Sequence, residues 1–469
     1  MTRSIHRAGR VLAMAGLVVA LALAAGGLTW AMDGILDNQG KVQVEAPVPA
    51  TVIVDGRIAG AVPQWLELDP GTHRVEVRAP GYRSYTTSLD VPGHGVQTVY
   101  ADLRPVDARA RIIAHSQGSL PRPQWAPDGS ALAMVCDWER VVTFSLAENS
   151  ATELARHQVA ELAIAGWSPD GAAIAYEEYN GPGQWYVDRA GRQTAVNAIR
   201  GQRVRWAPGL RGALVVEPSG VSWHAPVGNG FQPPAGRGLI VAAAPVSDAL
   251  VSPDGRFAAV VETLESRPEN LTMCGDLYLV DLATGSRRPA LGASPCQDLA
   301  RIGFSPSGRF LVALNGALSG GNAYDLAVVD LASGAATVVD QVGLEDSFSQ
   351  GWSAGDEWLV YSVGGRDALF FWNSATGATS SVDLPLEGPA APAFLGDRQV
   401  IVCARGVAGD RFNVDLWEVP VHMAGDRVTA AAAPRQIGSG VFEPSLTVSP
   451  AGDAAAFTTS DGAVWVWRP

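Results

Sequence analysis

The chain has 469 residues, 47% of them apolar and 17% charged, with 52 glycines, 31 prolines and a net charge of −13. That balance excludes a disordered chain, which lacks the apolar residues for a core, and a nucleic-acid-binding surface, which needs a basic footprint. Abundant glycine and proline beside few charges point to an all-β protein with many tight turns. The histidines are scattered without metal-ligand spacing, so neither a metal nor another cofactor is expected.

Residues 1–10 carry Arg3, Arg7 and Arg10 and no acid, residues 11–32 carry no charge, and Asp33 ends the run. An apolar helix of that length spans a hydrocarbon core of about 30 Å, and the basic flank holds the N-terminus in the cytoplasm. The expectation is a transmembrane anchor at 11–32, single-pass in the inner (cytoplasmic) membrane, with the C-terminal bulk periplasmic or extracellular. A cleaved signal peptide ending near Thr29-Trp30-Ala31 is the alternative. Residues 33–44 read as a polar linker.

Residues 45–104 alternate at strand length: Val52/Val54, Leu66/Leu68, Val75/Val77 and Val96/Val99, punctuated by Asp55-Gly56, Pro70-Gly71 and Pro80-Gly81. They predict a small antiparallel β-sandwich. Together with Gly60, Pro63, His73 and Tyr82, this order resembles the PEGA domain, although Pro47-Val48-Pro49-Ala50 stands where the eponymous tetrapeptide belongs. The resemblance implies an extracytoplasmic, wall-proximal module without activity of its own. His73 lies in strand register beside a turn and reads as structural or solvent-exposed.

From residue 105 to 469 one pattern, Trp167–Tyr176, recurs in altered form: an aromatic or its substitute, a turn that is intact as Pro-Asp-Gly at 127–129, 169–171 and 253–255 and degraded elsewhere, then small and apolar residues. Proline presets φ at the second turn position, aspartate suits the third, and glycine takes the left-handed conformation that closes the hairpin. Anchors fall at Trp125, Trp167, Trp206, Val251, Phe304, Trp352, Phe394 and Val448. A period of about 45 residues with several strands per unit signals a β-propeller. Near copies such as Leu277–Gly285 and Leu326–Gly334 supply third strands. Ala110–Ala114 is expected to complete the last blade as its outer strand. Eight blades follow, with seven as the alternative because the Trp206 repeat is weak. The Trp/Phe-Ser-Pro-Asp-Gly repeat resembles TolB-like, WD-repeat-like propellers of bacterial envelope proteins. That resemblance implies a fold and a habit of binding partners, not a reaction.

No catalytic constellation emerges. Gly351-Trp352-Ser353-Ala354-Gly355 satisfies a nucleophile-elbow pattern, but Ser353 falls on the register of Ser168, Ser252 and Ser305. Asp128, Asp170 and Asp254 sit one per blade in turns. Most tryptophans fall on anchors or third strands, so blade packing accounts for them better than a quinone cofactor does. Cys274 and Cys296 occupy connections at the same face of one blade, where an oxidising compartment favours a disulfide. Cys136 and Cys403 read as buried thiols. Loops between second and third strands, holding Asp137, Trp138, Glu139, Glu177, Glu178 and Tyr179, are the candidate binding face.

The sequence therefore predicts a non-enzymatic, membrane-anchored binding or scaffold protein of the bacterial envelope. Its propeller is a platform for envelope proteins or wall polysaccharide, with no nucleic-acid partner. The rival is a propeller enzyme of the lactonase or polysaccharide lyase type with a site in the central channel.

Overall fold

The computed structural model describes residues 39–469 apart from 47, 94, 159–160, 169, 179–183, 196–202, 207–211, 218, 228–229, 233–239, 242–245, 264–274, 292–301, 317–322, 344–345, 397 and 406–413. Strands dominate, and among the described residues helix is confined to the 3-10 turn Glu443–Ser445. None of these residues forms a helix long and apolar enough to cross a membrane. The anchor expected at 11–32 lies outside the described residues. Two compact units are formed: residues up to Ala79 with Arg83–Arg104, and Pro80–Tyr82 with Pro105–Pro469.

The first unit contains β1 (Gly40–Glu45), β2 (Thr51–Val54), β3 (Arg57–Ala61), β4 (Gln64–Leu68), β5 (Gly71–Arg78), β6 (Tyr85–Val91) and β7 (Val96–Tyr100). They make two sheets, β4-β1-β7 and β3-β2-β5-β6. Val42, Val44, Val52, Leu66, Val75, Val77 and Val99 are buried, as their period of two requires. Two features differ from the sequence reading. The stretch read as linker carries a strand from Gly40 onward, because Val42 and Val44 alternate with Lys41, Gln43 and Glu45 and turn to the core. The sandwich is also not purely antiparallel: β1 runs parallel to β7. Strands so distant in sequence need no hairpin between them, which leaves their relative direction free.

His73 has a defined structural role in this unit. Its Nδ1 lies 2.7 Å from Asp55 Oδ2 and its Nε2 lies 2.8 Å from the Asp69 carbonyl, while Asp55 Oδ1 accepts the Arg74 N–H. The ring thus ties two turns together, one of them at Asp55, whose φ is 48°.

The second unit is a succession of antiparallel sheets, all but the last built from strands consecutive in the chain. The first contains β9 (Gln124–Trp125), β10 (Ala131–Cys136), β11 (Arg140–Ser145) and β12 (Ser150–Arg156). The second begins with β13 (Leu162–Trp167) and β14 (Ala173–Glu178). The last sheet joins Thr447–Val448, Ala455–Thr458 and Ala463–Trp467 to β8 (Ala110–His115). The outer strand expected at 110–114 is therefore in place, antiparallel to Ala463–Trp467. Sheets of four strands in chain order, two of them carrying a fifth (Ile240–Val241 and Arg435–Val441), with the N-terminal strand completing the C-terminal sheet, are the blades of a β-propeller.

Packing between blades explains the sequence pattern. Buried clusters bridge consecutive sheets: Val135, Leu154, Trp167 and Tyr176 link the first to the second, and Leu132, Phe144, Val464 and Val466 link the last to the first. Second strands are covered on both faces, so β10 and Trp358–Val363 are buried at every position. The anchor indoles also donate hydrogen bonds across blades, Trp167 Nε1 to the Gln124 carbonyl at 3.1 Å and Trp125 Nε1 to the Thr447 carbonyl at 3.5 Å. Tyr82 packs edge-on against Trp465, with ring centroids 5.4 Å apart.

The recurring turn is a hydrogen-bonded device. Ser168 Oγ accepts the Ala173 N–H and donates to Asp170, and Ser252 does the same toward Phe257 and Asp254. Gly171 and Gly255 close the turns at φ of 66° and 69°. Ser353, the residue of the nucleophile-like pentapeptide, is one more copy: buried, its Oγ accepts the Trp358 N–H at 3.0 Å.

Candidate functional site

Strands alternate in direction within each sheet. The links between sheets and the hairpins between second and third strands therefore emerge at the same end. There a cavity of about 610 Å³ opens, lined by Gly118–Arg122, Gln124, Val135, Trp138, Glu161–Ile164 and Phe442. Its wall comes from the link between β8 and β9, the β10–β11 hairpin, the start of β13, and the segment preceding Thr447. Its size suits a ligand of several linked groups.

Trp138 dominates the opening. Cys136 pairs with Arg140, leaving a three-residue turn in which Asp137 and Trp138 take φ of 54° and 65°. A left-handed conformation costs a side-chain-bearing residue about 1–2 kcal/mol, and the surroundings must hold it there. Asp137 does so: its backbone N–H donates to Ser116 Oγ at 2.7 Å, its carboxylate accepts the Gln117 N–H, and Arg140 Nε donates to it at 2.8 Å. Burial pushes the Asp137 carboxyl up, but the Gln117 N–H and the Arg140 guanidinium outweigh it and hold the group below the usual value. The Trp138 carbonyl accepts the Leu162 N–H at 2.8 Å, and Trp138 Nε1 donates to the Gly118 carbonyl at 2.8 Å. With its N–H engaged, the indole offers its face, and the residue stays 48% exposed.

Two charges border this aromatic. Arg122 is exposed, with its guanidinium 5.8 Å from the Phe442 ring centroid. Glu161 is exposed at the entry to β13. Gln124 Nε2 donates to the Ile164 carbonyl at 3.1 Å, and Ser119 Oγ is 2.6 Å from Ser116 Oγ. Leu120, Pro121, Val135, Leu162 and Ile164 make the remaining wall largely aliphatic.

Of the expected binding residues, the structure brings Trp138 to the cavity. Asp137 is spent on holding the turn, and Glu139 is paired with Arg156 at 2.7 Å. Glu177 and Glu178 sit opposite Ala163 and Leu162 on β14, one strand behind the wall. Tyr179, Cys274 and Cys296 lie outside the described residues. Cys136 and Cys403 are buried free thiols, and burial pushes the Cys136 thiol up to about 11. Arg122, Glu161 and Phe442 escaped the sequence reading. The available signal was that links between blades share an end with the loops already singled out.

Residues 41–107 match the family model described as PEGA domain. No curated protein sequence matches the chain. Similar solved structures include the tricorn protease (TM-score 0.44, 12% identity, covering 86% of this chain and 43% of that one). Others are oligogalacturonate lyase in complex with manganese (0.44, 14%, 78% and 91%) and the Myceliophteria thermophila Cps50 (Swd1) β-propeller domain (0.40, 15%, 63% and 96%). The chain spans less than half the length of the tricorn protease chain it matches.

Proposed function

We propose that this chain is a binding or scaffold protein of the bacterial envelope, not an enzyme. It is tethered by residues 11–32 in the inner membrane, carries its PEGA domain outside the cytoplasm, and presents an eight-bladed propeller to a protein or glycan partner. The observation that carries this reading is Trp138. A bulky residue is held at φ of 65°, braced from below by Asp137 and Leu162, and left half-exposed over a large cavity. The hairpin turn and its braces account for the backbone conformation; what supports the reading is that they fix a large aromatic, half-exposed, beside the cavity instead of burying it. A rigid ring holding a variable end is also an economical platform for recognition.

Photo-crosslinking in cells tests the reading. A benzoylphenylalanine at position 138 is expected to capture a discrete partner, while one at Val338, 60% exposed on the outermost strand Ala336–Gly343, captures none. Equal labelling from both positions would overturn it. Protease added outside spheroplasts is expected to digest residues 39–469, and full protection would overturn the placement.

A further inference from the structure

Resting on the reading of the propeller as a binding platform, we propose that the cavity takes a short extended segment of a partner protein. The segment lays an apolar side chain on Trp138 and Phe442 and hydrogen-bonds to the two main-chain groups that β13 leaves open beside the cavity, the Leu162 carbonyl and the Ile164 N–H. It sets an acidic residue against Arg122 and a basic one against Glu161.

Backbone geometry favours this class. β13 is the edge strand of its sheet, paired among the described residues with β14 alone. The Leu162 N–H donates to the Trp138 carbonyl, and the Ile164 carbonyl accepts from Gln124, so both residues turn main-chain groups away from β14. In an antiparallel strand the N–H and C=O of one residue point to the same side. The Leu162 carbonyl and the Ile164 N–H therefore also lie on the edge that borders the cavity. The Leu162 N–H and the Ile164 carbonyl are satisfied within the chain, and the other two groups can each form one hydrogen bond with the backbone of a short extended segment, whose side chains the adjoining apolar wall reads.

The side chains agree. A sugar needs many side-chain donors and acceptors for its hydroxyls, yet Ser119 is bonded to Ser116, and the Gln124 amide and Trp138 indole N–H groups are engaged. The cavity's charged groups, Arg122 and Glu161, are both exposed, and neither has a hydrogen bond or ion pair among the described residues. Opposite charges flanking an aliphatic wall complement a segment that carries both signs around an apolar residue.

A displayed library of random nonapeptides, selected on the purified full chain, tests this. Enriched peptides are expected to share an apolar residue with an acidic neighbour and to bind the Trp138→Ala variant at least tenfold more weakly. Arg122→Glu alters an exposed side chain, so the fold persists, and it is expected to switch the preferred neighbour from acidic to basic. Enrichment unchanged by Arg122→Glu, or equal on Trp138→Ala, overturns the proposal. An oligosaccharide array probed in parallel separates the two levels. Trp138-dependent glycan binding without an enriched peptide overturns the peptide class and leaves the binding platform standing, whereas no Trp138-dependent ligand in either screen overturns both.

Discussion

Ser252 is fully buried, and its hydroxyl accepts the Phe257 N–H at 2.8 Å while donating to Asp254 at 2.6 Å. Replacing it with alanine strands that N–H, at a cost of about 1–3 kcal/mol. Urea unfolding of Ser252→Ala should show the midpoint lowered with an unchanged slope. Asp356 makes a sharper case, since it takes the position that glycine holds in other turns, at φ of 59°. Glycine there relieves backbone strain, yet the buried carboxylate accepts hydrogen bonds from Ser305 Oγ and the Ser307 N–H and hydroxyl of the neighbouring blade. We expect Asp356→Gly to destabilise the protein by about 1–3 kcal/mol in spite of the relief, because bonds to a charged group are worth more than one left-handed residue. A gain in stability would show that strain dominates.

His73 makes a pH prediction. The Asp55 carboxylate and then the Asp69 carbonyl raise its pKa above 6.5, because both ring nitrogens face acceptors and the doubly protonated ring satisfies both. The folded state binds this proton more tightly than the unfolded state. The stabilisation is therefore complete below the unfolded value and is lost as pH rises through the folded one. Histidine NMR of the full chain should place His73 above 6.5, and in His73→Ala the loss of stability across that window should vanish.

At the scale of elements, closure of the propeller depends on β8 and its approach. Asp107 accepts from the Arg109 N–H at 2.9 Å, from Trp467 Nε1 at 3.2 Å and from Arg435, which also pairs with Glu418. Both carboxylates are buried. Arg435→Met leaves the buried Glu418 without its closest partner; because Arg435 is itself half-exposed and Arg109 stays 3.8 Å away, the loss falls below that of a fully buried pair, at about 1–3 kcal/mol. Thermal unfolding should show that loss, with hydrogen exchange rising first in Ala110–His115.

The same elements show what the sequence reveals and what it hides. β8 was legible because an apolar strand with no local partner faced a last blade lacking its outer strand. Ser353 was legible as a turn residue from its register alone. β1 was missed because Val42 and Val44 sit among polar neighbours, where a two-residue alternation is easily read as linker. Arg122 and Phe442 were illegible as neighbours: they lie 5.8 Å apart across blades, and no local pattern encodes a contact created by closing the ring. Trp138 was visible as a loop aromatic, but its left-handed backbone was not, because Ser116 and Gln117, outside the hairpin, brace the turn through Asp137.

For the whole molecule, the core is distributed between sheets, so stability and recognition occupy separate places. Phe371, fully buried between two blades, should cost about 3–5 kcal/mol as alanine while leaving ligand binding intact in the folded fraction. Trp138→Ala should do the reverse, since the indole is half-exposed and lies outside the buried clusters. We propose that a partner seats at the end of the ring beside Trp138. Hydrogen exchange of the full chain with and without the partner captured at position 138 tests it most directly. Protection is expected to be confined to residues 118–124, 137–139 and 161–164; protection elsewhere on the chain, with those segments unchanged, would contradict a seat at Trp138.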